Sequence, residues 1–350
     1  MKSFEPDFLD RLPLTQGLVR AVRLLGEFKG RQDLYKQQIP QALETLRQAA
    51  VIQSTEASNR IEGVTAPLKR IQALVAEKTT PRNRSEQEIA GYRDVLNTIH
   101  SNYADIPFTT GVVLQFHRDL YRYAAAEGGK WKAADNTIEE VRPSGERVVR
   151  FKPVAAYATP EHMEHLQEGF RNAWEAGEVE RLLLIAAYVL DFLCVHPFHD
   201  GNGRMARLLT LLMLYHAGYE VGRYISLERV VEQSRESYYD TLQQSSAGWH
   251  EGKHNLIPWT EYFLGVVTAA YREFEDRAGT LTAARGAKTE MVLEAIRAMR
   301  GEFSVKDLRA RCPHVGIDLL RKILRDERKA GRVECLGKGP DAHWKQLLAS

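Results

Sequence analysis

Cysteine is scarce in this 350-residue chain. The three present, Cys194, Cys312 and Cys335, have no paired spacing. That argues against a disulfide framework and a cysteine zinc site, and it fits a reducing compartment. Long apolar runs are missing too. The longest, Leu182 to Val195, is interrupted by Asp191 and falls short of the roughly 20 residues a bilayer requires. Met1 to Leu14 lacks the basic-then-apolar order of a secretory leader. There is no Gly-Lys-Ser/Thr, which excludes a Walker loop, and there is no internal repeat. The net charge is only +2, so the molecule as a whole is no electrostatic nucleic-acid binder. These absences predict a soluble, cytoplasmic protein with no membrane partner.

What is present reads as mainly α. With 44% hydrophobic and 27% charged residues, the chain can bury a core and has room for two or three domains. Apolar residues recur at helical spacing over 16–30, 39–54, 86–102, 112–123, 160–176, 204–217, 226–248 and 258–277. A short helix is expected around Ser58, stopped by Gly63, and Pro67 opens another. Residues 180–195 are apolar all round and predict a buried central helix. The convincing β signal before residue 280 is a hairpin, Thr137–Val141 and Arg147–Phe151, about a turn containing Pro143 and Gly145.

Past a small-residue stretch at 278–287, three helices and a two-stranded wing predict a winged helix-turn-helix. Residues 281–350 hold fifteen Lys/Arg against nine Asp/Glu, the asymmetry of a DNA-contacting or acidic-partner surface. Arg321, Lys322, Arg325, Arg328 and Lys329 lie on or beside the expected recognition helix. The expected division is a helical region at 1–104, a catalytic domain at 105–280 and a winged domain at 281–350.

The chemistry concentrates in His196-Pro-Phe-His-Asp-Gly-Asn-Gly-Arg-Met-Ala-Arg207. Pro197 ends the preceding helix and leaves His196 at its rim. Gly201 and Gly203 free the backbone to bend and to approach a ligand. The loop runs into a helix N-terminus, where unpaired N–H groups and the helix dipole favour phosphate. Arg204 and Arg207, three residues apart, share a face and suit forked recognition of phosphate oxygens. Asp200 offers a hard oxygen for Mg²⁺, and a neutral His196 can accept a proton. A transition-metal reading of His196, His199 and Asp200 lacks a further ligand at suitable spacing. Each part alone is common; together they equip a site for phosphoryl or nucleotidyl transfer.

This segment resembles the signature of Fic-domain proteins, His-Pro-Phe-x-Asp/Glu-Gly-Asn-Gly-Arg-x-x-Arg, at every defined position. The likeness extends over about 105–275, including the hairpin and Ser237-Tyr-Tyr-Asp-Thr-Leu242. It implies the Fic helical fold with a β-hairpin flap, preceded by a helical region and here followed by the small winged domain. The implied activity is transfer of AMP from ATP to a Ser, Thr or Tyr hydroxyl of a target protein. In that reading His196 is the general base and Asp200 holds Mg²⁺. Gly201, Asn202 and Gly203 form the anion hole, Arg204 and Arg207 complete the phosphate site, and Tyr238 and Tyr239 line the base pocket. The hairpin would hold the target chain by strand-type pairing.

Ser58-Asn-Arg-Ile-Glu62-Gly63 resembles the same family's inhibitory motif, Ser/Thr-x-x-x-Glu-Gly/Asn. The spacing puts Ser58 and Glu62 on one helical face, and the resemblance implies that Glu62 pairs with Arg207 where the γ-phosphate belongs. The alternatives are AMP removal or transfer of another phosphate-containing group at the same site, or a DNA-binding regulator acting through the tail. Self-modification and homo-oligomerisation are further expectations.

Overall fold

A computed structural model describes residues 2–38, 40–141, 147–283, 287–299, 301–313, 315–337 and 342–347. The helical periodicities become α1 (Gln16–Gln38), α2 (Pro40–Ile61), α3 (Leu68–Val75), α4 (Arg84–Asn102) and α5 (Thr110–Leu120). The hairpin strands are β1 (Ile138–Val141) and β2 (Arg147–Phe151), followed by α6 (Thr159–Ala176), α7 (Arg181–Val195) and α8 (Asn202–His216). Next come α9 (Leu227–Gln233), α10 (Arg235–Ser246) and α11 (Ile257–Ala283). The remainder is α12 (Ala287–Ala298), β3 (Glu302–Ser304), α13 (Val305–Arg311), α14 (Ile317–Lys329), β4 (Val333–Cys335) and β5 (His343–Gln346). The chain is mainly helical, as its periodicity predicts.

Three features differ from the sequence reading. The expected helices at 39–54 and around Ser58 are one helix, α2, which carries Ser58 in its last turns. The expected helix at 226–248 is broken at Ser234. There the hydroxyl turns back onto the Val230 carbonyl at 2.9 Å, and the backbone leaves helical geometry at φ −115° and ψ 32°, the local competition that serine offers a helix. The tail also has a strand, β3, that the sequence did not signal.

Two compact units emerge. One comprises residues 1–29 and 47–272, the other 30–46 and 273–350. Residues 47–104 thus belong to the same unit as 105–272 rather than to a helical region of their own.

In the first unit α7 is the axis. Every residue from Leu182 to Val195 is buried, and α6 and α8 pack beside it. Full burial of each leucine is worth roughly 1.5–3 kcal/mol against exposure. The one charged residue in that buried stretch, Asp191, is fully satisfied. It accepts from the Ser3 N–H at 2.9 Å, the Ser3 hydroxyl at 2.7 Å and Trp249 Nε1 at 2.6 Å. Burial outweighs these donors and pushes the carboxyl up to about 6. β1 and β2 pair antiparallel, Glu140 opposite Val148, with an irregularity between Ile138 and Glu139. The turn expected at 142–145 lies outside the described residues.

In the second unit β3, β5 and β4 form an antiparallel sheet in that order. Leu308, Leu320, Ile323, Leu324, Val333 and Trp344 are buried together with α13 and α14. Ser304 and Asp307 close a reciprocal capping box on α13. No described helix is long and apolar enough to cross a membrane.

Candidate nucleotide-binding site

The site begins where α7 stops. His196 adopts φ 50° and ψ 60°, a left-handed conformation that costs a non-glycine residue energy, and Pro197 prevents the helix from continuing. The loop is closed by Asn202, whose side chain accepts from the Phe198 N–H at 2.9 Å and donates to the Phe198 carbonyl at 2.8 Å. Gly201 then opens α8 at φ 82°, a geometry suited to glycine. No side chain caps the first turn of α8, so its N–H groups and dipole present an anion site.

A carboxylate already stands there. α2 ends at Ile61, and Gly63 turns the chain at φ 79°, leaving Glu62 over the start of α8. A methyl group on Gly203 would meet Glu62 Oε1 at 2.2 Å, so glycine at this position leaves room for the carboxylate. Arg207 Nη2 donates to Glu62 Oε1 at 2.8 Å and to the Ser58 carbonyl at 2.8 Å, while its Nε donates to the Ser58 hydroxyl at 2.8 Å. Burial disfavours the Arg207 charge, but Glu62, followed by Tyr238 and Tyr92, outweighs it and raises the pKa further.

Arg204 takes a different course. It is 1% exposed, donates from Nη1 to Glu88 Oε2 at 2.6 Å and from Nη2 to the Tyr121 hydroxyl at 2.9 Å. Its guanidinium lies 5.5 Å from the Tyr121 ring centre. The expected same-face pair of arginines therefore faces two different sets of partners, and Arg204 is committed to the interior.

Asp200 is 52% exposed on its side chain, and its Oδ1 accepts from the Gly201 N–H at 2.7 Å. Burial raises its pKa, but Arg204, the Gly201 N–H, Tyr121 and Arg84 together bring it below the usual value. Among the described residues no group of three or more His, Cys, Asp or Glu is placed to hold a metal ion. A lone, ionised and accessible carboxylate fits a Mg²⁺ that takes most of its ligands from substrate phosphates and water.

His196 Nδ1 lies 3.3 Å from the Leu193 carbonyl. A carbonyl only accepts, so this bond places the proton on Nδ1 and the lone pair on Nε2. Burial lowers the imidazole to about 4; Lys132 adds to that, and the Leu193 bond, Glu62 and Asp200 oppose it. The ring is thus neutral at neutral pH, as a base requires.

A cavity of about 730 Å³ joins these elements, within the range of small-molecule sites. It is lined by His196 and Gly203, by Glu62, by Ile138 and Phe151 of the hairpin, and by Tyr238 and Tyr239 of α10. Tyr238 is buried against Trp259 and Tyr262 at 5.8 and 5.9 Å between ring centres, whereas Tyr239 is 36% exposed. Of the expected residues, Asp200, Gly201, Asn202, Arg204 and Arg207 are not part of the lining; Ser58 and Glu62 engage the Arg207 guanidinium.

Sequence reasoning missed the partners that hold the loop. Glu88 and Tyr121 carry Arg204. His117 stacks on Phe198 at 3.7 Å between ring centres, accepts from the Gly129 N–H at 2.9 Å and donates from Nε2 to the Asp200 carbonyl at 3.1 Å. His117 falls on the predicted apolar stripe of α5, but its contact 83 residues along the chain has no local signal.

Residues 107–214 match the Fic/DOC family model. Proteins named protein adenylyltransferase Fic are 26% identical over 205 residues in Nematostella vectensis and 26% over 216 residues in Culex quinquefasciatus. The matches cover 55% and 59% of this chain, and the chain spans about two fifths of those relatives, 42% and 39%. A Fic family protein from Desulfovibrio desulfuricans is similar in structure at a TM-score of 0.63 and 23% identity, covering 97% of this chain and 98% of that one. A Fic domain containing signaling protein from Bacteroides thetaiotaomicron gives 0.60 at 19% identity, covering 74% and 98%. At these identities the structural likeness establishes the fold. Over residues 107–214 the chain is similar to the Fic/DOC family, and its fold is that of the Fic-family structures.

Proposed function

We propose that this chain is an autoinhibited protein adenylyltransferase that moves AMP from ATP to a Ser, Thr or Tyr hydroxyl of a target protein. The observation that carries the reading is the Glu62 carboxylate, bound to Arg207 at 2.8 Å over the uncapped start of α8. A negative group held by an arginine at a helix N-terminus marks where a substrate phosphate belongs, and His196 lines the same cavity. The names of the curated relatives support adenylyl transfer as the reaction class.

In this mechanism His196 Nε2 takes the proton of the target hydroxyl as its oxygen attacks the α-phosphorus. The new P–O bond forms while the bond to the bridging oxygen breaks, and pyrophosphate leaves. The backbone of Gly201, Asn202 and Gly203 receives the phosphate charge, and Arg207, once released by Glu62, receives the γ-phosphate. Asp200 would hold Mg²⁺, which when bound would neutralise phosphate charge. Tyr239, the more exposed of the tyrosine pair, faces the base. Base catalysis by His196 contributes on the order of 10²–10⁴-fold. Arg204 enters this account as the strut of the loop.

The test uses ATP labelled at either the α or the γ phosphorus, offered to the Glu62→Gly protein with Mg²⁺ and a cell lysate. The reading expects protein-bound label from the α position alone. Label from the γ position would replace adenylyl by phosphoryl transfer, and loss of AMP from pre-labelled protein would favour the removal reaction.

A second activity is favoured by one observation. Arg321, Lys322, Arg325, Arg328 and Lys329 are exposed on α14, and among the described residues none of them makes an ion pair with a carboxylate. A helix-turn-helix, α13–α14, with that basic face beside the β4–β5 pair fits a DNA duplex. Its affinity for random duplex would fall steeply between low and high salt; a salt-independent or absent shift in fluorescence anisotropy would remove this reading.

A further inference from the structure

The backbone on both sides of His196 is held from one short stretch of chain. Lys132 Nζ donates to the Val195 carbonyl at 3.1 Å, and its own N–H donates to the Pro197 carbonyl at 2.8 Å. Lys132 Nζ also donates to Asn136 Oδ1 at 2.9 Å, and Asn136 Nδ2 donates to the Phe198 carbonyl at 3.2 Å. Three of the loop's carbonyls, at 195, 197 and 198, are thus bound by two side chains and one amide lying between α5 and β1.

His196 needs such support. Its φ of 50° is one a β-carbon resists, and such strain persists when the surroundings over-determine it. The peptide plane before His196 contains the Val195 carbonyl. The plane after it leads into Pro197, whose ring fixes φ, so holding the Pro197 carbonyl constrains that side as well.

Lys132 is also an expensive choice. The residue is only 4% exposed, and among the described residues no carboxylate forms an ion pair with it. Lysines are seldom buried unpaired. Burial lowers its ammonium to about 8, with Asp135 opposing. Lys132 lies outside the signature segment, and the cavity lining does not include it.

We infer that Lys132 is a positioning residue for the adenylyl-transfer step: with Asn136 it holds the backbone on both sides of His196, at the 195, 197 and 198 carbonyls, and so aims the imidazole at the target hydroxyl. This rests on the reading of His196 as the base. It separates aim from nucleotide binding, because the clamp touches the backbone of the loop from outside the cavity.

The experiment compares Lys132→Met and Lys132→Arg in full-length protein carrying Glu62→Gly, with thermal melting as the control for folding. Lys132→Met is expected to lower kcat about a hundredfold, the cost of roughly 1 Å of misplacement, with the KM for ATP within about twofold. Lys132→Arg, which keeps a cationic donor, is expected to recover at least about tenfold of that loss. A kcat within about threefold of the parent in Lys132→Met overturns the inference, as does an equal loss in both variants with a raised KM. Should Lys132→Met fail to fold, Asn136→Ala carries the test on a partly exposed residue. Its expected loss is about tenfold in kcat at constant KM, and an unchanged kcat overturns the inference. An inactive Glu62→Gly parent contradicts the transferase reading itself, and the clamp falls with it.

Discussion

The two arginines of the signature, three residues apart on α8, occupy two kinds of surroundings. Arg204 is sealed at 1% exposure against Glu88, Tyr121 and Asn59. Arg207 is held by Ser58 and by Glu62, whose side chain is 31% exposed at the end of α2. The first arrangement resembles core architecture, a buried ion pair whose disruption leaves a charge stranded. The second resembles a lock, because its carboxylate can be displaced without opening the core. On the proposed function, one helix thereby carries a permanent strut and a releasable contact within a single turn.

The largest expected effect that separates the two is acid. His100, His117, His196 and His254 are held down by burial at about 3, 4, 4 and 4. The unfolded chain takes up these protons near pH 6.5, and the folded chain only near their lowered values. The stability they preserve is therefore present above about 6.5 and is lost as pH falls toward about 4. Asp191, pushed up to about 6, acts in the opposite direction, but as one group against four. His117 lies 5.0 Å from the Tyr121 ring, so the Arg204 side should loosen first. Urea midpoints measured without ATP or Mg²⁺ at pH 7, 6, 5 and 4 should fall steadily; a flat series would contradict these buried neutral rings.

Next in size is Glu88→Ala. Stranding Arg204 should cost about 3–5 kcal/mol, read as a clear drop in melting temperature with no gain in transferase activity. A variant as stable as the parent would show the strut to be dispensable.

Glu62→Gly should leave melting almost unchanged and raise transfer about thirtyfold, for a brake worth about 2 kcal/mol. The smallest effect belongs to Ser58→Ala. Losing one acceptor of Arg207 Nε weakens the lock by about 1 kcal/mol, so activity should rise about fivefold in a steady-state assay, and an unchanged rate would assign the lock to Glu62 alone.

Much of this contrast was legible before the fold. The spacing of Ser58 and Glu62 follows from helical geometry, and the glycines at 201 and 203 mark where the backbone turns and where Glu62 comes close. The apolar run at 182–195, broken only by Asp191, identified the axis of the first unit. The sequence did not reveal which arginine would be sealed, because that depends on Glu88 arriving from 116 residues away. Lys132, Asn136 and His117 were likewise silent, since a hydrogen bond to a distant backbone carbonyl leaves no periodicity. Ser3 carries no sequence signal, yet its hydroxyl and N–H, with Trp249, satisfy Asp191 in the core.

The lock itself is tested most directly by intact mass after incubation with ATP and Mg²⁺ of wild type, Glu62→Gly, Glu62→Gly with Arg207→Ala, and His196→Ala. The account predicts mass gained in steps of AMP by Glu62→Gly, little by wild type, and none by His196→Ala or by the protein lacking Arg207. Equal gains in wild type and Glu62→Gly, or AMP transfer that survives loss of His196, would contradict it.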